Sequence, residues 1–245
     1  MHRILLYKTG ETDPALLPQI GDYERWFARV LGPSYTLEIH RAFDKPKHTI
    51  GGYDGMVITG SPRSLVNPEP WMDDAAEFIR SADDAGVPVL GVCFGHQLIG
   101  YAYGGCVRQN PNGWEVGTVD VALTDEGARD PLFAGVPAAL RVNQSHQDEV
   151  VTLGPTTKLL AASAHTATQA IAVGEHVRGV QFHPEMDALV IQRIVEHRRR
   201  ILLDDARRRC RDGFCVDRVI AGAGNCPDGE RVLVNFVEQF VLKAA

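Results

Sequence analysis

The segment Val87-Pro88-Val89-Leu90-Gly91-Val92-Cys93-Phe94-Gly95-His96-Gln97 constrains this chain more than any other. An apolar, strand-type run breaks at a cysteine with glycines close on either side and then reads as helix, so one side chain is lifted above a sheet edge by a sharp turn. Gly91 and Gly95 lack the Cβ atoms that would collide with the turn and with the helix behind it. The backbone N–H of Phe94 falls at a helix start, where unpaired donors and the helix dipole favour negative charge. A thiol in that place suits acyl transfer through a thioester, with Phe94 as one oxyanion donor.

A thiol used this way needs a base, and Val180-Gln181-Phe182-His183-Pro184-Glu185 offers one. A second short apolar strand there runs into a histidine, with a carboxylate two residues on. Imidazole titrates near neutrality, and a carboxylate fixes its tautomer and stabilises its cation. Pro184 restricts the backbone between them. Cys93, His183 and Glu185 are therefore the expected catalytic set, although only the fold can join residues so far apart. Cys93 read alone is more readily a small buried core residue, and the pairing with His183 and Glu185 carries the catalytic reading.

Taken together, the Gly91–Gln97 segment and His183-Pro184-Glu185 resemble the class I (triad) glutamine amidotransferases, whose Cys-His-Glu site hydrolyses the side-chain amide of glutamine. Tyr53-Asp54-Gly55-Met56-Val57-Ile58-Thr59-Gly60-Ser61-Pro62 is similar to that family's strand and glycine loop, which implies that Gly60 supplies the second oxyanion N–H beside Phe94. Asn143-Gln144-Ser145-His146-Gln147-Asp148 resembles the Ser-His segment of the branch that includes the amidotransferase domain of GMP synthase. By that resemblance Gln97, Ser145 and His146 hold the α-amino and α-carboxylate end of the substrate. Gly113-Trp114-Glu115-Val116-Gly117 resembles the same branch, with Trp114 where an arginine is more usual. The match runs over roughly residues 1 to 190.

The resemblance implies glutamine or another γ-glutamyl compound as substrate, ammonia released for a separate synthetase subunit, and no cofactor. No glycine-rich phosphate loop follows residue 190, so the synthetase is not expected on this chain. A stand-alone γ-glutamyl hydrolase or peptidase is the alternative, and a non-catalytic binding module a weaker one.

Strand and helix signals alternate along the first half: His2–Tyr7, Tyr35–His40, Gly55–Thr59 and Val87–Val92 as strands, Leu16–Leu31 and Trp71–Ala85 as helices. That order predicts an α/β fold, a flavodoxin-like open and mainly parallel sheet flanked by helices. Its reactive groups gather at the carboxyl ends of the strands. Short runs at Thr118–Leu123, Glu149–Leu153, Lys158–Ala162 and Ala167–Val173 predict antiparallel strands that extend the sheet. From about residue 187 the pattern becomes a divergent helical tail. One long helix is expected over Asp187–Arg211, with its arginine run on a solvated face, and an amphipathic helix over Gly229–Leu242. Residues 1–245 are read as a single domain.

With 25 basic against 31 acidic residues the formal charge is −6, which gives no reason to expect nucleic-acid binding. The first residues lack the pattern of a signal peptide and no apolar run reaches membrane-spanning length, so the expected setting is cytoplasmic and no membrane partner is expected. Five cysteines, an odd number, fit reduced thiols. Cys210, Cys215 and Cys226 lack a Cys-x-x-Cys pair, so no metal site is expected from them.

Overall fold

The computed structural model describes residues 2–243. Its strands are β1 (His2–Lys8), β2 (Tyr35–Arg41), β3 (Gly55–Ile58), β4 (Val89–Val92), β5 (Cys106–Gln109), β6 (Glu115–Leu123), β7 (Ala139–His146), β8 (Asp148–Thr152), β9 (Thr157–Ala162), β10 (Ala170–Val173) and β11 (Val177–Val180). The helices are α1 (Leu17–Ile20), α2 (Tyr23–Leu31), α3 (Pro70–Asp84), α4 (Phe94–Ala102), α5 (Asp125–Arg129), α6 (Ala188–His197), α7 (Arg199–Arg208), α8 (Val216–Gly222) and α9 (Pro227–Phe236).

A nine-stranded sheet in the order β2-β1-β3-β4-β11-β10-β9-β6-β7 forms the centre. Strands β2, β1, β3, β4 and β11 run parallel. From β11 outward, β10, β9, β6 and β7 pair antiparallel, which is the expected mainly parallel α/β sheet with its extension. Interior parallel strands are covered on both faces and so read as unbroken apolar runs, as Ile4-Leu5-Leu6-Tyr7 and Met56-Val57-Ile58 do. One face packs Trp26 and Phe27 of α2 beside Leu233 and Phe236 of α9. The other packs Phe78 and Ile79 of α3 beside Leu98 and Ile99 of α4.

Several elements differ from the sequence expectation, each for a local reason. The helix expected over Leu16–Leu31 is split, because Gly21 takes a left-handed φ of 75° and Asp22 then caps α2 by accepting the Tyr23 N–H. The strand expected at Glu149–Leu153 is β8, which leaves the main sheet and pairs with β5 as a separate ribbon. Ser145 and His146 lie in β7, a strand absent from the runs read as strands in the sequence. Polar Asn143-Gln144-Ser145-His146 hides the strand signal, since all four are buried in side-chain hydrogen bonds instead of alternating with solvent.

The long helix expected over Asp187–Arg211 breaks at Arg198, whose φ of −86° and ψ of 4° end α6 and start α7. On either side of that break Ile191, Val195, Leu202 and Val216 pack into a small apolar cluster with Val116 of β6. Gly117 permits the approach, since a Cβ there would lie 2.7 Å from Val219 Cγ1. The amphipathic helix expected from Gly229 starts at Pro227 and closes in a π turn, Val237–Val241. Among the described residues no helix is long and apolar enough to cross a membrane, and no group of three or more His, Cys, Asp and Glu side chains is placed to hold a metal ion.

A Cβ at position 95 would stand 2.6 Å from the Ile58 carbonyl oxygen, a backbone atom that cannot swing aside. Gly95→Ala is therefore expected to cost about 1–3 kcal/mol, read as a fall in the midpoint of urea or thermal unfolding.

Candidate active site

Cys93 stands where β4 becomes α4, with φ 53° and ψ −102°, a left-handed conformation rare for any residue but glycine. Such a backbone costs on the order of 1–3 kcal/mol and persists only where surrounding structure enforces it. Here a Cβ on Gly91 would run into the carbonyl of Gly95, so the turn closes only with glycine at 91. The Cys93 N–H donates to the Val180 carbonyl at 2.8 Å, and the Gln97 N–H donates back to the Cys93 carbonyl at 3.1 Å.

Strand β11 lies beside β4 in parallel, Val180 level with Val92, so the chain leaving each strand emerges on the same edge. His183 thereby reaches the elbow. Its Nδ1 bonds Glu185 Oε1 at 2.8 Å, with both side chains almost wholly buried. Burial alone would push the imidazole down, but the Glu185 carboxylate and the nearby Cys93 sulfur outweigh it and raise the pKa to about 10. With Nδ1 spent on the carboxylate, Nε2 is the nitrogen free for chemistry at sulfur.

Gly60 closes the third side. A Cβ there would lie 3.1 Å from His183 Cε1 and 3.6 Å from Cys93 Cβ, so glycine is what lets the β3 loop approach. The Gly60 carbonyl accepts the hydroxyls of Thr59 at 2.9 Å and Thr9 at 3.1 Å. In a trans peptide the next N–H points the opposite way. Ser61 thus turns its N–H away from the Thr9 side, and Ser61 lines the Cys93 cavity. Within the described residues the backbone N–H groups of Gly60, Ser61 and Phe94 donate no hydrogen bond to the protein.

The cavity over Cys93 has a volume of about 320 Å³, and Phe94, Gln97, Ser145, His146 and Asp148 line it together with Trp114 and Arg198. Residues 25–192 match the sequence model of the family Glutamine amidotransferase class-I. The chain belongs to that family. It is 34% identical over 146 residues to γ-glutamyl peptidase 4 of Arabidopsis thaliana, covering 59% of this chain and 58% of that protein. It is 35% identical over 144 residues to a glutamine-hydrolyzing GMP synthase component of Sulfolobus acidocaldarius, covering 58% of this chain and 73% of that protein. The chain spans less than two thirds of the peptidases it matches. The crystal structure of a glutamine amidotransferase from Thermotoga maritima superposes with a TM-score of 0.71 at 19% identity, covering 98% of both chains, and shares the fold.

Against that class I background, every residue expected at the site borders the same strand-end edge. Gln97 donates through Nε2 to the Asp148 carbonyl at 2.8 Å and to Gln181 Oε1 at 3.1 Å, while its own Oε1 accepts nothing from the described residues. Ser145 Oγ accepts a 2.6 Å bond from Arg198 Nη1. His146 borders the cavity, yet both its nitrogens are engaged, Nδ1 with the Asp148 carbonyl and Nε2 with Glu115 Oε2, each at 3.0 Å. Glu115 in turn accepts Ser163 and Gln169, so this pair braces the wall from behind. Sequence reasoning missed Ser61, one residue past the glycine it chose, and Arg198, hidden in an arginine run that looked solvated. Only the helix break could have flagged Arg198, and nothing in the local sequence marks it.

Replacing Glu185 by glutamine removes the largest upward push on His183 and leaves the downward push of burial against the upward push of the Cys93 sulfur. In Glu185→Gln the His183 ring is expected to titrate well below the wild-type value of about 10, followed by NMR of the imidazole protons.

Proposed function

We propose that this chain hydrolyses a γ-glutamyl amide through a thioester on Cys93, and that it does so without a partner. The observation that carries the reading is the placement of a buried His183–Glu185 pair against a cysteine in a glycine-framed elbow, under a cavity already open to solvent.

In this reading the Cys93 sulfur, its proton passed to His183 Nε2, attacks the γ-carbonyl carbon. The oxygen becomes an oxyanion held by the Phe94 N–H and an N–H of the Gly60–Ser61 turn. His183 Nε2 returns its proton to the amide nitrogen, which leaves as ammonia or an amine as the carbonyl re-forms. Water then gives a proton to His183 Nε2 and attacks the thioester carbon. Glutamate departs, and the sulfur recovers the proton. Glu185 holds the ring and its charge throughout. Gln97 Oε1, lacking a protein donor, suits the substrate's α-ammonium.

Release of ammonia to a separate synthetase subunit is the second reading, favoured by likeness to the glutamine-hydrolyzing GMP synthase component. We read residues 1–245 as one unit with its tail, supported by the packing of the tail on β6, and five free thiols support a reducing, cytoplasmic setting.

The purified chain alone is expected to release glutamate from L-glutamine or from γ-glutamyl dipeptides, with Cys93→Ala reducing kcat at least about a thousandfold. Wild-type turnover that persists in Cys93→Ala refutes the thioester. Turnover that starts only when a synthetase subunit is added transfers the case to the second reading.

A further inference from the structure

Arg198 stands at the break between α6 and α7 and lines the same cavity as Cys93. Its Nη1 donates to Ser145 Oγ at 2.6 Å, and its guanidinium lies 5.1 Å from the centre of the Trp114 ring. Those two contacts hold the group in place without neutralising it. Among the described residues no carboxylate lies within ion-pair distance of Arg198. The neighbouring cation on the cavity wall, Arg63, is by contrast paired with Glu69 at 3.0 Å and stacked on Phe43. Asp148, the one carboxylate bordering the cavity, is engaged by the Ser64 hydroxyl and not by Arg198.

A half-buried guanidinium that is positioned and left without a carboxylate partner can complete an ion pair with a carboxylate brought by a ligand. Arginine presents a planar fork of donors matched to a carboxylate, and only one of its nitrogens is occupied by protein. The indole N–H of Trp114, a residue that also borders this cavity, is a second buried donor with no partner among the described residues. Arg198 and Trp114 both border the cavity in which a γ-glutamyl group must sit for its amide carbon to reach Cys93. We infer that Arg198, supplied by the tail, binds the α-carboxylate of the γ-glutamyl substrate and so selects for it. The inference rests on the γ-glutamyl reading above. It makes Arg198 a specificity residue, with Ser145 and Trp114 setting its direction.

The decisive comparison is between L-glutamine and 4-aminobutyramide, which is glutamine without the α-carboxylate. The ratio of kcat/KM for the two is expected to fall about thirtyfold in Arg198→Ala and to recover partly in Arg198→Lys, which keeps the charge and loses the fork. An unchanged ratio overturns the assignment. Calorimetry gives the same answer without turnover. In Cys93→Ala protein, adding Arg198→Ala or Arg198→Lys is expected to weaken L-glutamine binding tenfold or more and leave 4-aminobutyramide binding where it was. Equal weakening for both ligands, or none, overturns it. Wild-type protein that binds glutamine through Arg198 but never hydrolyses it defeats the thioester mechanism and spares this one. Failure of glutamine to bind the Cys93→Ala protein defeats both.

Discussion

The hydrogen bond from the Cys93 N–H to the Val180 carbonyl, at 2.8 Å, is where this molecule is joined. It is the last rung of the parallel pairing between β4 and β11, and it fixes an early segment against one more than eighty residues later. Shift that register by one residue and side chains exchange faces of the sheet. His183 would then leave the sulfur, Glu185 would lose its reason to be buried, and the strained turn at Cys93 would have nothing to serve. The antiparallel extension through β10 acts on this joint, because it holds β11 from the other side.

Around the joint, charge is managed by pairing. Glu185 has no exposure to solvent, and a lone carboxylate there would carry a large desolvation cost. The His183 imidazolium lies against it at 2.8 Å, and the carboxylate in turn holds the imidazole in its charged form. Breaking such a pair from one side strands the remaining charge, so the two residues act as a unit in stability as well as in chemistry. Glu115 and His146 repeat the device a few residues behind the cavity wall, where burial raises the carboxyl and the imidazole and Ser163 more than offset it, holding Glu115 below the usual carboxylate range.

Sequence made the elbow legible because its causes are local: two glycines, an apolar strand and a helix start within eleven residues. The parallel core was legible for the same reason, since buried strands carry continuous apolar runs. Three features were not. Strand β7 spends its buried face on amides and a histidine, which mimics a loop. The ribbon of β5 and β8 depends on which strand meets which, and alternation in β8 alone cannot name its partner. The split at Arg198 carries neither glycine nor proline, so no local residue marks where α6 gives way to α7.

The same break explains a departure from the family pattern. Trp114 occupies a position where the resemblance would place an arginine, and an indole cannot supply the charge. Arg198 brings a guanidinium to within 5.1 Å of that ring from a part of the chain that otherwise least resembles the family. The aromatic face holds the cation by attraction to its quadrupole, and Ser145 aims it. Two anomalies that look independent along the sequence are thus one contact in space. The bend between α6 and α7 sets the guanidinium, and the guanidinium faces the thiol's cavity. The helical tail therefore reaches the site through that side chain and is part of the wall on which a substrate would be read.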